Sequence, residues 1–324
     1  MKKYLSLIAV AVMLTACNTN GSNSGSTDCS CIPEYDRSTL SILTPTGAPA
    51  LAFYNYAGNS KFETNAAPAT ISGQMAAGAK DVVVLPTNAG VKAIVDNKAP
   101  YQLAATITFG NFYIASLNND DNQVMDENDT IILFQKNNVP DKIFHYVYGD
   151  QFNNAIHYAA DVSAVAQAAI SGKYSDPDTG TEYVPNYVMI AEPALTNVMS
   201  KKNTVSVYAD VQAKYKEKSN DQALFQASVF IKTDVNKLTA TSFLESLKKD
   251  IEDAIADPTK LSAGMSQEAS AAEVYGVAPQ MAENVLKKNN GMGLGFKYVR
   301  GNKAAVETFL KLFNIEGLNE KIYF

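Results

Sequence analysis

The sequence predicts an α/β protein of two lobes, each a mixed, mainly parallel sheet flanked by helices, and three observations predict it. Short apolar runs bounded by turn residues recur along the chain, as strands buried on both faces do. Each run is followed within a few residues by a helix-start signal, so strands and helices alternate and helices cover the sheets. The alternation comes in two series, around residues 40–110 and 130–205, and the remainder from Asn236 onward is mostly helical.

In order, Leu40–Thr44 reads as a strand and Pro45–Pro49 as a turn. Pro49 then opens a helix over Ala50–Ala57, because proline's missing N–H costs nothing in a first turn. Asp81–Leu85 is a buried parallel strand, and Thr87 or Asn88 caps a helix over Ala89–Asp96. Leu103–Phe109 closes the first series. Thr130–Phe134 opens the second, followed by a helix from Pro140 to about Tyr148 and a helix capped by Asp161 or Ser163 and running to Ser171. Residues 172–186 form a polar loop, Tyr187–Ala191 a strand, Glu192-Pro193 the start of a helix to Met199, and Val205–Val211 a returning strand. Phe243, Leu247, Ile251 and Ile255 mark the apolar face of a long helix, and Val306, Phe309, Leu310 and Phe313 that of the last one.

The first sixteen residues carry a separate message. Lys2 and Lys3 precede an uncharged apolar run, Tyr4–Leu14, and Leu14-Thr15-Ala16-Cys17 closes it. This is the layout of a secretory signal and is too short to span a bilayer as a helix, which needs about 20 apolar residues. A cysteine directly after Leu-Thr-Ala resembles the bacterial lipoprotein signal. That resemblance implies cleavage before Cys17, diacylglycerol on its thiol with palmitate-type acylation, and a location on a cell membrane facing the periplasm or the exterior. Residues 17–37 then read as a tether, since the Asn-, Ser- and Gly-rich stretch 18–30 has nothing with which to form a core. Cys29 and Cys31 are tether cysteines: a Cys-x-Cys disulfide is strained, and two thiols without a nearby histidine make a poor metal site.

Loss of residues 1–16 leaves 308 residues with 25 basic and 33 acidic side chains, a net charge of −8. An acidic chain without a Lys/Arg cluster excludes a nucleic-acid role. No metal or cofactor is expected. His145 and His157 lack a metal-binding spacing, and neither a Gly-x-Ser-x-Gly elbow nor a phosphate loop occurs. Gly291-Met-Gly-Leu-Gly295 reads as a loop. The chain is therefore expected not to be an enzyme.

Three stretches lie just past a strand and before a helix: Leu43–Ala50, Val84–Asn88 and Ala191–Pro193. In that order, behind such a signal, they resemble the substrate-binding lipoproteins of ABC importers, in the type-2 periplasmic-binding-protein group that includes sulfonate, nitrate and thiamine-precursor binders. The likeness runs from about residue 38 to the end. It implies lobe one at 38–110 plus 208–324, lobe two at 111–207, and a hinge near Asn111 and Tyr208. It also implies a monomeric clamp that closes on a small molecule and hands it to an ABC permease and its ATPase. Other uses of the same fold are a sensor or adhesion lipoprotein and an enzyme of cofactor-precursor metabolism.

Ligands of open α/β sheets lie at the carboxyl ends of the strands. The expected ligand-binding residues are therefore Thr44 at the end of the first strand, Thr46, Gly47 and Ala48 after it, Thr87 and Asn88 after the second, Asn137 and Asn138 in lobe two, and Glu192. Helix N-termini converging there suit an anion or a neutral amide or heterocycle. Relatives carry a glycine-rich turn where this chain has Lys136-Asn137-Asn138-Val139. Phe109, Phe112, Tyr113, Tyr146 and Tyr148 are candidates to stack on a flat ligand.

Overall fold

The structure is a computed structural model that describes residues 35–118, 124–288 and 290–324. The signal, Cys17, Cys29 and Cys31 lie outside the described residues.

The strands, in chain order, are β1 (Ile42–Pro45), β2 (Phe62–Asn65), β3 (Val82–Pro86), β4 (Tyr101–Thr108), β5 (Phe112–Ser116), β6 (Ile131–Phe134), β7 (Ile156–Ala159), β8 (Tyr174–Ser175), β9 (Glu182–Tyr183), β10 (Tyr187–Ala191), β11 (Ser206–Asp210), β12 (Ala227–Lys232) and β13 (Leu294–Tyr298). Among the described residues they form a six-stranded sheet, β13-β4-β12-β3-β1-β2, a five-stranded sheet, β11-β5-β10-β6-β7, and the β8-β9 hairpin. The hairpin falls inside the stretch expected to be a polar loop.

Both large sheets are mixed. The expectation of mainly parallel sheets holds only where strand and helix alternate: β2-β1-β3 in the first sheet and β10-β6-β7 in the second are parallel. The remaining pairs are antiparallel. The reason lies in the chain path. β4 hands the chain to the second sheet, and β12 brings it back to lie between β3 and β4 in the opposite sense.

The first crossing is the short stretch Phe109–Asn111. Here Gly110 and Gly293, both in the left-handed region, pack backbone to backbone, and a Cβ on Gly293 would sit 1.9 Å from the Gly110 carbonyl oxygen. The Phe109 N–H donates to the Gly293 carbonyl at 2.8 Å. The Gly291–Gly295 stretch is thus the start of an edge strand whose glycines permit this close approach. The return comes later than Tyr208. β11 runs to Asp210 in the second sheet, and helix Val211–Lys218 packs on helix Val139–Tyr148, with the rings of Tyr146 and Tyr215 5.2 Å apart. The chain recrosses within 219–226.

The N-terminal boundary also moves. Tyr35 is buried edge-on to Phe243. Arg37 donates to both carboxylate oxygens of Asp250, at 2.8 and 2.9 Å, and Asn55 bonds the same carboxylate. Residues 35–37, expected to be tether, are fixed to helix Lys237–Ala256 because that buried carboxylate needs a cation and a donor. Along the same helix Phe243, Leu247 and Ile251 are buried as expected, but Ile255 is exposed near the C-terminus. The helix expected over Ala50–Ala57 is shorter and earlier, Ala48–Leu51, followed by a 3-10 turn at Tyr54–Tyr56. No helix among the described residues is long and apolar enough to cross a membrane.

Candidate functional site

A cleft of about 720 Å³ opens between the two sheets. Its lining begins where the parallel strands end. Pro45, Ala66, Pro86, Phe134 and Ala191 line it at or just after the carboxyl ends of β1, β2, β3, β6 and β10. Phe112 and Ala227 line it at the amino ends of β5 and β12, which run the other way. The topology thus turns the same end of both sheets toward one space, where such folds hold their ligands.

Of the residues expected there, Thr46, Gly47, Ala48, Asn138 and Glu192 line the cleft. Thr44, Thr87 and Asn137 do not. Thr44 is wholly buried on β1, with its hydroxyl against the Pro45 carbonyl. Thr87 is also wholly buried, and its hydroxyl joins a chain with Ser228 at 2.7 Å and Thr106 at 2.8 Å. Asn137 has a φ of 64° and its N–H donates to Asp141, and it and Lys136 border a separate depression instead of the cleft. Asn88 is 6% exposed and reaches the cleft through a partner: its Nδ2 donates to Asn138 Oδ1 across the two lobes at 3.3 Å.

Among the aromatic candidates Phe112 lines the cleft, edge-on to Phe134. Phe109 packs on Phe225, Tyr146 on Tyr215, and Tyr148 on Phe144. These rings hold the hinge and the second lobe together. Tyr113 is half-buried beside them in the same core.

Asn111, expected only at the hinge, and Gln226, which the sequence did not single out, also line the cleft. Asn111 Nδ2 donates to the Glu192 carbonyl at 2.7 Å, and the Gln226 Nε2 donates to Asn111 Oδ1 at 2.9 Å. The Glu192 N–H returns a bond to the Asn111 carbonyl. Asn111 is the first residue beyond the crossing glycine, a signal that was legible. Gln226 sits in an irregular stretch that carried none.

Several donors at the helix ends around the cleft are already engaged or absent. Prolines occupy the first or second position of the helices at Ala48–Leu51, Val139–Tyr148 and Pro279–Lys287, and contribute no N–H. Asn138 accepts from the Val139 N–H and Asp161 from that of Ala164. Glu192 accepts from the N–H and the hydroxyl of Thr196, at 3.0 and 2.8 Å. The Thr87 N–H donates to the Gln226 carbonyl, and that of Gly47 to the Tyr275 carbonyl. Burial raises the Glu192 carboxyl above the ordinary carboxylate range, offset in part by its bonds from Thr196. Lys201, exposed at the rim, is the cationic side chain of the lining.

The two histidines lie elsewhere. His145 Nε2 and Nδ1 are each 3.2 Å from a carboxylate, Asp141 and Asp150, and the ring of His157 stacks on Tyr183 at 3.6 Å. Both border a separate depression of about 650 Å³ that Lys136, Asn137 and Tyr158 share. No group of three His, Cys, Asp or Glu side chains suited to a metal ion occurs among the described residues.

No protein-family model matches the chain, and no curated protein matches it by sequence. Solved structures do. An ABC transporter structure from Parabacteroides distasonis is 17% identical, with a TM-score of 0.62 over 84% of this chain and 91% of that one. The periplasmic aliphatic sulphonate binding protein SsuA of Escherichia coli is 12% identical, with a TM-score of 0.54 over 84% and 85%. A Candida albicans gene product described as having the generic periplasmic binding protein fold is 8% identical, with a TM-score of 0.52 over 88% and 92%. The chain therefore has the periplasmic-binding-protein fold, two α/β lobes around an interlobe cleft. The solved structures that share it include a ligand-binding component of an ABC-type import system from Staphylococcus aureus, 10% identical, with a TM-score of 0.56 over 87% of this chain and 94% of that one.

Proposed function

We propose that this chain is the solute-binding component of an ABC import system. It captures a small organic molecule between its lobes and delivers it to a permease and ATPase. The observation that carries this reading is the cleft itself: both sheets direct their strand ends into one space, joined by two crossings that suit hinge closure. The binding proteins among the structural neighbours support it. The Lys2–Cys17 segment supports an anchor: diacylglycerol on Cys17 would hold the chain on the cell membrane, facing the periplasm or exterior, as a monomer on its tether.

The test is thermal unfolding of the purified chain against fractions of a metabolite extract. Anything that binds only the folded state raises Tm with its concentration. The reading expects one fraction to do so in a saturable manner. If no fraction moves Tm, the reading fails. The anchor is tested apart, by radiolabelled palmitate: Cys17→Ser is expected to abolish incorporation, and label retained in that variant would place the lipid elsewhere.

A further inference from the structure

We infer that Asp141, which lies outside the cleft, is a positioning residue for ligand capture: its carboxylate holds the turn between β6 and helix Val139–Tyr148 from behind, and so keeps Gln135 and Asn138 in the cleft lining. The inference rests on the binding-protein reading and assigns a further residue to that same cleft.

The turn has two sides. Gln135 and Asn138 line the cleft, while Lys136 and Asn137 border the separate depression. Two of its residues, Gln135 and Asn137, stand in the left-handed region, with φ of 55° and 64°. Such a backbone is costly for a residue other than glycine and persists only where the surroundings impose it. No glycine occurs between Phe134 and Tyr148 to relieve that cost.

The bonds that impose it centre on Asp141. The Gln135 N–H donates to the Ala159 carbonyl at 3.1 Å, and the Asn138 N–H closes the turn on the Gln135 carbonyl at 3.0 Å. Between them the Asn137 N–H donates to Asp141 Oδ2 at 2.7 Å. Asp141 is 3% exposed and is the third residue of its helix. A carboxylate there commonly accepts from the N-cap N–H. This one accepts from the residue before the N-cap, and Asn138 caps Val139 with its own side chain. The second oxygen, Oδ1, accepts from the Tyr158 hydroxyl at 2.7 Å and lies 3.2 Å from His145 Nε2. Tyr158 stands on β7, the neighbour of β6, and Lys136 Nζ lies 5.2 Å over its ring. The carboxylate thus ties the back of the turn to the sheet. On the front, Asn138 Oδ1 accepts from Asn88 Nδ2 of the other lobe at 3.3 Å. Loss of the carboxylate would leave the Asn137 N–H without its acceptor and let Asn137 relax from the left-handed region. That relaxation would draw Asn138 away from Asn88 and out of the cleft.

The probe is the metabolite fraction that raises the Tm of the unaltered full chain. The readout is occupancy by native mass spectrometry over a dilution series of that fraction, beside urea unfolding of each variant. Asp141→Ala should need roughly tenfold more of the fraction for half-occupancy. Adding Asn137→Gly to Asp141→Ala should recover most of that loss, because glycine takes a positive φ without strain. Glycine cannot replace a carboxylate in a helix first turn, so a residue that only stabilised its helix would lower the urea midpoint and show no such recovery. Asp141→Asn keeps an oxygen for the Asn137 N–H and should bind within about threefold of the unaltered chain. Tyr158→Phe removes one bond to the carboxylate and should weaken capture by about threefold, which keeps the test decisive if Asp141→Ala does not fold. Unchanged occupancy in Asp141→Ala or Tyr158→Phe, or a loss that Asn137→Gly leaves untouched, overturns the inference and leaves the import reading standing. If no fraction binds the unaltered chain, the import reading fails and the inference falls with it.

Discussion

The two walls of the cleft are built from one element, a strand running into a helix, yet they treat their helix ends differently. In the second lobe Asn138, Asp161 and Glu192 each take an N–H of the helix they precede. In the first lobe Gly47, Pro86 and Ala278 stand at the same position with no side-chain cap. There the Gly47 and Thr87 N–H groups go to the Tyr275 and Gln226 carbonyls, and Pro49 and Pro279 contribute none. The difference teaches that topology places the cleft but does not set its chemistry. What the cleft presents depends on which backbone donors are used locally and which side-chain acceptors remain.

The largest effect should come where the lobes meet. Gly293→Ala drives a methyl group into the Gly110 backbone at a positive φ. It should destabilise the chain by about 3 kcal/mol or more in urea unfolding. A neutral result would mean that the crossing is looser than this packing implies.

Next come the lobes taken singly. Asp250→Ala leaves Arg37 and Asn55 without their carboxylate in the first lobe. Because Arg37 is partly exposed, the cost should be about 1–3 kcal/mol rather than that of a fully buried pair. Asn138→Ala removes both a cap and the interlobe bond to Asn88. It should cost about 1 kcal/mol of stability and change ligand affinity as well, whereas Asp161→Ala should cost a similar amount as a cap alone. If the two variants behave alike in binding, the bond between the lobes has no part in closure.

The smallest effects are titrations, both in the second lobe. Burial raises the Glu192 pKa above its ordinary 4.5, so the folded state holds the proton more tightly than the unfolded one. Stability therefore falls as pH rises from 4.5 through the folded value, and Glu192→Gln should flatten that fall. Burial lowers the His157 pKa below its ordinary 6.5, with Asp176 opposing. Stability is then full above 6.5 and is lost as pH falls below it, a loss that His157→Phe should remove. Tm measured across pH 4 to 8 separates the two.

The architecture was legible because buried parallel strands are written as short apolar runs, so β1, β3, β6 and β10 stood out. β2, β12 and β13 were not. Phe62–Asn65 is short and polar, and Gly295 interrupts β13, so neither carries a period. β12 is apolar enough, but nothing local says that it returns across the molecule. The cleft lining was legible at its turns, Thr46–Ala48, and at Asn138 and Glu192. It failed where two residues of the same type at adjacent positions face opposite ways. Asn137 borders the separate depression and Asn138 the cleft, in a turn whose positive φ at Asn137 the sequence does not announce. Thr87 points into a buried hydroxyl chain, while its neighbour Asn88 reaches across the cleft.

The most direct measurement is native mass spectrometry of the intact chain, before and after mild unfolding, following incubation with a metabolite extract. The account predicts one small molecule bound at a ratio of one to one and released on unfolding. A bare mass under all conditions would contradict it.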